Sequence, residues 1–402
     1  MSVATMTSRL ATDWDVVPLG LIGSRRSVKN FGMAETNLLS LSYGKIIPKD
    51  VKGADGLRPE TYETYQIVEP GDIIFRFTDL QNDQRSLRTG LVTQRGIITS
   101  AYIAFAPDCR VVDPQYLAML MRSYDTSKVF YEMGSGVRQT LKFDELSSLR
   151  VPLPSLNTQR RIAAFLDRET GEMDAMVVKL DQLIEALHER REETVRGTLI
   201  SSEAQWANLG LVTTSTSGAG FPHRYQGVEG EDLPFYKVSS LSSLDSSGFV
   251  KDDKNSVSRQ IARELGASVI PPHSVLMAKI GAALLLGRFV QNQVECCIDN
   301  NMLALFPVAN VLLPDFLAYS MTLVSMDLLV NPGAVPSLNV AGLRMTKIPL
   351  PPIPEQQRIV THLDRETAET DAMIGRTEKL KSLIAERRSA LITDVVSGRK
   401  EV

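Results

Sequence analysis

The chain has few cysteines, no excess of positive charge and no long apolar run. Its three cysteines, Cys109 and the adjacent pair Cys296 and Cys297, form neither a disulfide framework nor a C-x-x-C metal pattern. No apolar stretch reaches the roughly 18–20 residues of a membrane span, and residues 1–13 lack the apolar core of a signal peptide. These absences predict a protein of the reducing cytoplasm without membrane contact.

Catalytic signatures are also missing. There is no G-x-x-x-x-G-K-[ST] phosphate loop, no G-x-G-x-x-G that opens a helix after a strand, and no Pro-Asp…Glu-x-Lys nuclease pattern. Asn331-Pro332-Gly333 lacks the second proline and the aromatic residue of the Asn-Pro-Pro-aromatic motif of amino-methyltransferases, so we interpret it as a turn. The four histidines are scattered without metal-ligand spacing: His188, His223, His273 and His362. The sequence therefore favours a binding protein without its own metal or cofactor over an enzyme.

The net charge of −3 does not by itself indicate a nucleic-acid ligand, although a basic patch on one face can persist in a neutral average. With 402 residues, of which 43% are hydrophobic and 23% charged, the chain is an ordinary globular protein with room for two or three domains.

What the chain does contain is one long segment that occurs twice. Val151-Pro-Leu-Pro-Ser-Leu-Asn-Thr-Gln-Arg-Arg-Ile162 aligns with Ile348-Pro-Leu-Pro-Pro-Ile-Pro-Glu-Gln-Gln-Arg-Ile359 at an offset of 197 residues. The offset persists without a gap through Glu189-Arg-Arg191 and Glu386-Arg-Arg388, which we interpret as salt-bridging positions on helices. Solenoid repeats are only about 20–50 residues long, so this repeat indicates two copies of a whole module and a pseudo-two-fold molecule.

Each copy is predicted to end in a long amphipathic helix. The first helix is expected from about Thr170 to Ser201, or ~45 Å, with Gly171 as a kink or break and Asn157 as an upstream N-cap. Pro354 and Glu355 suit the first turn of the second helix. Gly398 and Lys400 suit its end. We expect the two helices to pack antiparallel through apolar positions spaced by threes and fours: Leu166, Met173, Leu180, Ile184, Leu187, Leu363, Met373, Leu380, Ile384 and Leu391.

The two intervening regions share a pattern of strands and turns with little identity. A turn at Glu69-Pro-Gly-Asp72 precedes the β-prone run Ile73-Ile-Phe-Arg-Phe77, and a short buried helix is predicted from Pro114. Pro314-Asp-Phe-Leu-Ala-Tyr-Ser320 repeats that helix in the second region. The predicted fold class is α+β, with two similar α/β domains joined by two long antiparallel helices. We call residues 1–150 the first α/β region and residues 206–347 the second; residues 151–205 and 348–402 are the helical spacers.

The paired Leu-Pro-x-x-x-x-Gln-x-x-Ile segments, each leading into a long helix, resemble the specificity subunits of type I restriction–modification enzymes over nearly the whole chain. Ser155-Leu-Asn-Thr158 departs from Pro352-Ile-Pro-Glu355 of the second copy, which affects only how the helix begins. The resemblance implies that each α/β region is a target-recognition domain that reads one half of a split, non-palindromic DNA sequence. It also implies that the helices act as a spacer.

Partners follow from the same resemblance. The helices would form part of the docking surface for two methyltransferase subunits, which use S-adenosylmethionine to methylate adenine. A separate motor-nuclease subunit would join to translocate and cleave DNA with ATP and Mg²⁺. This chain would be the non-catalytic member.

DNA contacts require cationic and small polar groups for phosphates, and bidentate Arg, Asn or Gln side chains for bases. The candidates in the first α/β region are Arg25, Arg26, Lys29, Asn30, Arg85, Arg88, Arg138 and Gln139. Those in the second are Arg224, Tyr225, Gln226, Lys251, Lys254, Asn255 and Lys279. Each of these stretches could instead be a solvated loop.

Two other classes of function remain open at this point. One is an interaction scaffold whose helices hold partners without reading DNA. The other is an enzyme, an orphan DNA methyltransferase or nuclease, against which the missing motifs argue.

Overall fold

The computed structural model describes residues 14–49, 61–78, 80, 86–133, 140–201, 204–245 and 247–402. The elements of the first α/β region are β1 (Asp15–Pro18), β2 (Gly23–Arg26), β3 (Leu39–Ser42), β4 (Lys45–Pro48), β5 (Gln66–Val68), β6 (Ile73–Phe75), β7 (Thr89–Leu91), β8 (Gly96–Ile98), β9 (Ile103–Pro107), α1 (Pro114–Thr126), α2 (Phe143–Ser147) and β10 (Arg150–Leu153).

An antiparallel sheet in the order β2-β9-β6-β7 forms the centre of this region. Helix α1 packs its buried face, which includes Tyr116 and Leu120, into the same core as the sheet residues Ile73 and Phe105. The predicted helix at Pro114 is confirmed, and Asp113 caps it by accepting from the backbone N–H groups of residues 115 and 116. Strands β1 and β10 pair with each other and bring both ends of the region to the start of the next helix.

The long helix α3 (Leu156–Ser201) follows, and then the second α/β region. Its elements are β11 (Trp206–Asn208), α4 (Leu209–Val212), β12 (Thr213–Ser217), β13 (Leu233–Tyr236), β14 (Phe249–Val250), β15 (Ser256–Val257), α5 (Arg259–Glu264), β16 (Val275–Ala278), β17 (Phe289–Asn292), β18 (Cys297–Ile298), β19 (Met302–Pro307), α6 (Pro314–Met321), β20 (Val330–Asn331), β21 (Ser337–Leu338), α7 (Val340–Met345) and β22 (Lys347–Pro349). The second long helix, α8 (Ile353–Val396), closes the chain.

The second region repeats the plan of the first. Its main sheet has the order β12-β19-β16-β17-β14, in which β12, β19, β16 and β17 correspond to β2, β9, β6 and β7. Strands β11 and β22 pair as β1 and β10 do, and α6 follows β19 as α1 follows β9. The expectation of two similar α/β regions is confirmed.

The first long helix begins earlier than the apolar pattern predicts. Helix α3 starts at Leu156 instead of near Thr170, and its 46 residues correspond to about 69 Å. It runs without a break through Gly171, where a side chain would meet nothing within 4 Å, so this exposed glycine costs only helix propensity. The predicted kink or break at Gly171 is therefore wrong.

The helix ends are set by local hydrogen bonds. The Ser155 hydroxyl accepts from the Thr158 N–H at 3.2 Å, so Ser155 is the cap and the prediction of Asn157 is wrong. Pro354 and Glu355 lie in the first turn of α8, as predicted. At the other end Gly398 adopts a φ of +71°, and the N–H of Arg399 donates to the carbonyl of Asp394 at 2.8 Å, which ends the helix as expected.

The chain divides into two compact units that share the long helices. Unit 1 comprises the residues up to Asp181 with Glu378–Val402, and unit 2 comprises Gln182–Thr377. The core of unit 1 takes in helix residues Ile162, Ala163, Leu166, Ile392, Val395 and Val396. The core of unit 2 takes in helix residues Val195, Leu199, Ile359, Val360 and Leu363. Each unit is thus one α/β region packed on the beginning of one long helix and the end of the other.

Within each unit the two helices run antiparallel and are joined by ion pairs. In unit 1, Arg388 Nε lies 3.2 Å from Asp174, and Lys381 pairs with Asp181. In unit 2, Arg191 Nε lies 2.9 Å from Asp371, which is the equivalent of the Arg388–Asp174 pair at the 197-residue offset. The prediction of salt bridges at the two Glu-Arg-Arg segments is confirmed for these arginines.

Most of the predicted packing positions face inward. Leu166 and Leu363 are fully buried, and the others that are buried or half-buried are Met173, Leu180, Ile184, Leu187, Ile384 and Leu391. Met373 and Leu380 are 46% and 44% exposed, so these two predictions are wrong. Ile374 and Thr377 take the buried positions instead.

In the part of the chain that the structure describes, no helix is both long and apolar enough to cross a membrane.

Candidate nucleic-acid interface

The described residues contain no group of three or more His, Cys, Asp or Glu side chains that could hold a metal ion. The candidate site is therefore the polar surface of each α/β region.

In the first α/β region, strand β2 presents two arginines with different surroundings. Arg25 is exposed, whereas Arg26 is half-buried and forms an ion pair with Asp72. Burial raises the pKa of Asp72, and the hydrogen bond from Arg26 opposes that rise. Arg25 is the freer of the two to reach a phosphate.

Lys29 lies at the end of the same segment, beside tyrosines that the sequence analysis did not single out. Its Nζ donates to the Ser100 hydroxyl at 2.9 Å and to the Thr64 carbonyl at 3.2 Å. Thr64 directly precedes Tyr65, whose ring meets that of Tyr62 edge to face with 5.1 Å between the ring centroids. A lysine beside aromatic side chains is a combination suited to nucleic acid.

The prediction that Asn30 contacts DNA is wrong, because its side chain is fully buried. Its Oδ1 accepts from the Glu35 N–H and its Nδ2 donates to the Glu35 carbonyl, both at 2.9 Å. These bonds brace a turn in which Phe31 is 77% exposed. Asn30 therefore shapes the surface that other residues present and does not itself reach a base.

The prediction that Arg88 contacts DNA is also wrong, because only 1% of its surface is exposed. Its guanidinium donates to the Thr78 carbonyl at 3.1 Å and to the Tyr131 hydroxyl at 3.3 Å, and its backbone N–H donates to the Asp125 carboxylate at 2.5 Å. Burial raises the pKa of Asp125, and that backbone hydrogen bond opposes the rise. Three other predicted contacts, Arg85, Arg138 and Gln139, lie outside the described residues.

In the second α/β region, the stretch 223–226 forms a polar and aromatic surface. The guanidinium of Arg224 lies over the Tyr225 ring, 4.7 Å from its centroid. Gln226 accepts a hydrogen bond from the Nζ of Lys237 at 3.3 Å and donates to the Phe221 carbonyl at 3.1 Å. Lys237 was not predicted, since it lies in a different part of the sequence.

The structure brings the stretch 251–255 against the first one. Asn255 is buried and accepts a hydrogen bond from the Gly227 N–H at 3.0 Å, so it joins the two loops. The prediction that Asn255 contacts DNA is therefore wrong, and its role is structural. Lys251 and Lys254 stay exposed on the joined loop.

The half-buried Lys279 lies close to this surface, near the acidic residue Asp299. Burial raises the pKa of Asp299, and hydrogen bonds from Asn301 and the positive charges of Lys237 and Lys279 oppose the rise. Two lysines, each of which directly follows a strand (β13 and β16), thus lie near one carboxylate.

The two α/β regions therefore have one framework and two different polar surfaces. Arg25, Lys29 and tyrosines stand on the first, and Arg224, Tyr225, Gln226 and lysines stand on the second.

Known proteins that are similar to this chain are specificity subunits of type I restriction enzymes. A profile of the family described as "Type I restriction modification DNA specificity domain" matches residues 221–382. A protein of Methanocaldococcus jannaschii described as the MjaX specificity subunit of a type I restriction enzyme is 20% identical over 431 residues, which cover 99% of this chain and 96% of the relative. The StySPI specificity subunit of a type I restriction enzyme of Salmonella potsdam is 21% identical over 334 residues, covering 77% of this chain and 70% of that one.

Two solved structures have the same fold. One, from work on the assembly and conformational transition of the type I R-M system, superposes with a TM-score of 0.75 at 20% identity and covers 96% of this chain and 98% of its own. The other, the HsdS subunit from Thermoanaerobacter tengcongensis, gives a TM-score of 0.54 at 20% identity over 97% and 98%. The family match and the named relatives confirm the resemblance and the assignment of a specificity subunit instead of a catalytic one. The chain is therefore similar to type I restriction–modification specificity subunits, to one relative over 99% of its length and to the family profile over residues 221–382.

Proposed function

We propose that this chain reads a bipartite, non-palindromic DNA sequence, with one half recognised by each α/β region, inside a cytoplasmic complex with two methyltransferase subunits. Motor-nuclease subunits join the same complex for restriction. The observation that carries the proposal is the pairing of one duplicated framework with two different polar surfaces. Identical surfaces would favour a palindrome, because symmetric readers bind symmetric half-sites.

The partners supply the chemistry in this proposal. The methyltransferase subunits bring S-adenosylmethionine, and the motor-nuclease uses ATP and Mg²⁺. The experiment is to purify the chain with and without a methyltransferase partner and to map methylated adenines on random-sequence duplex DNA. A split motif methylated only by the complex supports the proposal. Methylation by this chain alone, or methylation without sequence preference, contradicts it.

Arg25 offers a direct test of phosphate contact. Because Arg25 is exposed on β2, we expect Arg25→Ala to leave folding intact and to weaken binding by about 3- to 10-fold at ~0.1 M salt, uniformly across target sequences. The slope of log K against log salt should fall by about 1. Fluorescence anisotropy over a salt series measures both quantities. Arg110→Ala is the control, since Arg110 is exposed but paired with Asp108 in its own turn; an unchanged slope for Arg25→Ala would remove Arg25 from the interface.

The long helices expose apolar side chains at equivalent positions of the repeat. Met176 and Met373 are one such pair, and Leu183 and Leu380 are the other. Because the two methyltransferase copies are identical, the surfaces that hold them should be duplicated, and these side chains are duplicated and exposed.

We expect the double variant Met373→Asp with Leu380→Asp to have a free energy of unfolding within about 0.5 kcal/mol of the wild-type value, because surface substitutions usually change stability little. Its affinity for the methyltransferase subunit should fall at least 10-fold. Analytical ultracentrifugation with purified subunits measures the stoichiometry, and Arg376→Ala, an exposed change on the same helix, is the control. Wild-type assembly by the double variant would exclude this surface from docking.

A further inference from the structure

Unit 1 contains a cavity of about 280 Å³ that no step of the proposed DNA recognition uses. Its walls come from the β3–β4 hairpin, strand β7, helix α1 and both long helices. The charged side chains that line it are Lys45, Arg122, Asp167 and Arg388. Three of these carry positive charge and one carries negative charge.

Arg122 occupies this wall as a half-buried cation. Its guanidinium donates to the carbonyls of Gly44 and Thr89, and it lies so close to Gly44 that a Cβ there would overlap it. Among the described residues Arg122 forms no ion pair with a carboxylate. Burial lowers the pKa of Arg122; the charge of Asp125 opposes this, and the like charge of Arg388 adds to it.

Arg388 faces the same cavity with an incompletely satisfied guanidinium. Its Nε lies 3.2 Å from an Asp174 carboxylate oxygen but is buried without a hydrogen-bond partner in the described structure. Two guanidinium groups that repel each other therefore border one cavity. Arg388 has the Asp174 carboxylate as a counter-charge, whereas Arg122 has only carbonyl partners. An anion in the cavity would compensate the charge that these carbonyls leave on Arg122.

We propose that this cavity is a binding site for a small oxyanion, a phosphate or carboxylate group held by Arg122 and Arg388 with Lys45 at its rim. Guanidinium groups bind such anions through paired N–H donors, which carbonyl acceptors alone leave partly unused. The proposal goes beyond DNA reading and does not depend on it.

Unit 2 provides an internal comparison, because the equivalent cavity is built differently. It is lined by Thr322, which stands where unit 1 has Arg122. The charged residues in its lining are Glu189, Arg191, Glu192, Glu193 and Arg196. Tyr319 stands where unit 1 has Met119, and its hydroxyl donates to Asp364 at 2.8 Å. Asp364 is the repeat equivalent of Asp167. With three glutamates against two arginines, and with threonine at the position of Arg122, the second cavity is less suited to an oxyanion than the first.

The experiment is isothermal titration of the full chain with inorganic phosphate against chloride at matched ionic strength. We expect saturable binding of one phosphate per chain, at least 10-fold weaker in Arg122→Gln and in Arg388→Gln. Arg191→Gln, the equivalent change in unit 2, should bind as the wild type does. Absence of saturable binding by the wild type, or unchanged binding by Arg122→Gln, overturns the proposal.

Two further variants keep the test decisive if a change at Arg122 prevents folding. Met119→Tyr copies the second unit and should fill the cavity, so that phosphate binding is lost while the melting temperature is kept. Lys45→Gln, at an exposed position, should weaken binding about 3-fold. If both variants bind phosphate like the wild type, the site is excluded.

The source of the oxyanion is then resolved by competition. If duplex DNA displaces phosphate, the site holds a backbone phosphate of DNA; if it does not, the site holds a free anion. Either result retains the oxyanion site. Failure of the titration would leave the DNA-reading proposal untouched, since its test is the methylated motif.

Discussion

Replacing residues 19–149 with the corresponding residues of a type I specificity subunit should redirect one half of the proposed target sequence and leave the other half unchanged. The boundaries follow from the structure. Strands β1 and β10 pair from Asp15 with Leu153 to Pro18 with Arg150, and the Leu19 N–H donates to the Leu149 carbonyl at 2.8 Å. An exchange inside this strand pair keeps the junction to α3 intact.

The expected effect is large because specific sites are bound about 10³-fold or more tightly than non-specific DNA. The chimera, assembled with methyltransferase subunits, should therefore lose methylation of the original motif and gain it at a motif with one new half. Methylated-adenine sequencing of plasmid DNA reads both halves at once.

The matched exchange covers residues 209–346, because Leu209 N–H donates to the Thr346 carbonyl at 2.8 Å just inside the β11–β22 pair. It should alter the other half only. A chimera that folds, as judged by its melting temperature, but changes both halves would show that the two α/β regions do not read independently.

Features that depend on local pattern or on the repeat could be predicted from the sequence. Pro114 marks the start of α1 because a helix tolerates proline in its first turn. The interhelical pairs of Arg191 and Arg388 followed from the matching Glu-Arg-Arg segments. Both signals lie within a few residues of the feature that they predict.

The helix interface shows where the apolar pattern fails. Thr377 is buried although threonine is polar, because its hydroxyl donates to the Met373 carbonyl at 2.8 Å within the helix. Its methyl group is then free to pack. An apolar stripe drawn through Met373 and Leu380 therefore misses the inward face, which passes through Ile374 and Thr377.

The candidate interface depended on contacts between distant parts of the chain. Lys29 meets Thr64 and Ser100, which lie 35 and 71 residues away. Arg88 is drawn into the core beside Asp125, 37 residues away. Composition can identify a polar stretch, but only the tertiary contacts decide which of its side chains face outward.

Gln159→Ala and Gln356→Ala should each destabilise the protein strongly, although neither glutamine was assigned a role from the sequence. Both side chains are fully buried. The Oε1 of Gln159 accepts from the Asp113 N–H at 2.8 Å, and its Nε2 donates to the carbonyls of Val111 at 3.2 Å and Pro154 at 2.8 Å.

Gln356 repeats this geometry in unit 2. It accepts from the Leu313 N–H at 2.8 Å and donates to the carbonyls of Val311 at 3.0 Å and Pro351 at 2.8 Å. Each glutamine thus joins the first turn of a long helix to the loop that begins the helix of its α/β region. The duplicated Leu-Pro-x-x-x-x-Gln-x-x-Ile segment therefore supplies the same joint in both units.

Truncation would leave one buried N–H and two buried carbonyls without partners, so we expect a loss of about 2–4 kcal/mol in the free energy of unfolding. Urea denaturation followed by circular dichroism measures it. Gln357→Ala is the matched control, because Gln357 is adjacent but exposed, and it should change stability by less than about 0.5 kcal/mol. If Gln356→Ala unfolded at the same urea concentration as Gln357→Ala, the joint would not be what stabilises the unit. The duplicated segment would then have to be explained by its surface.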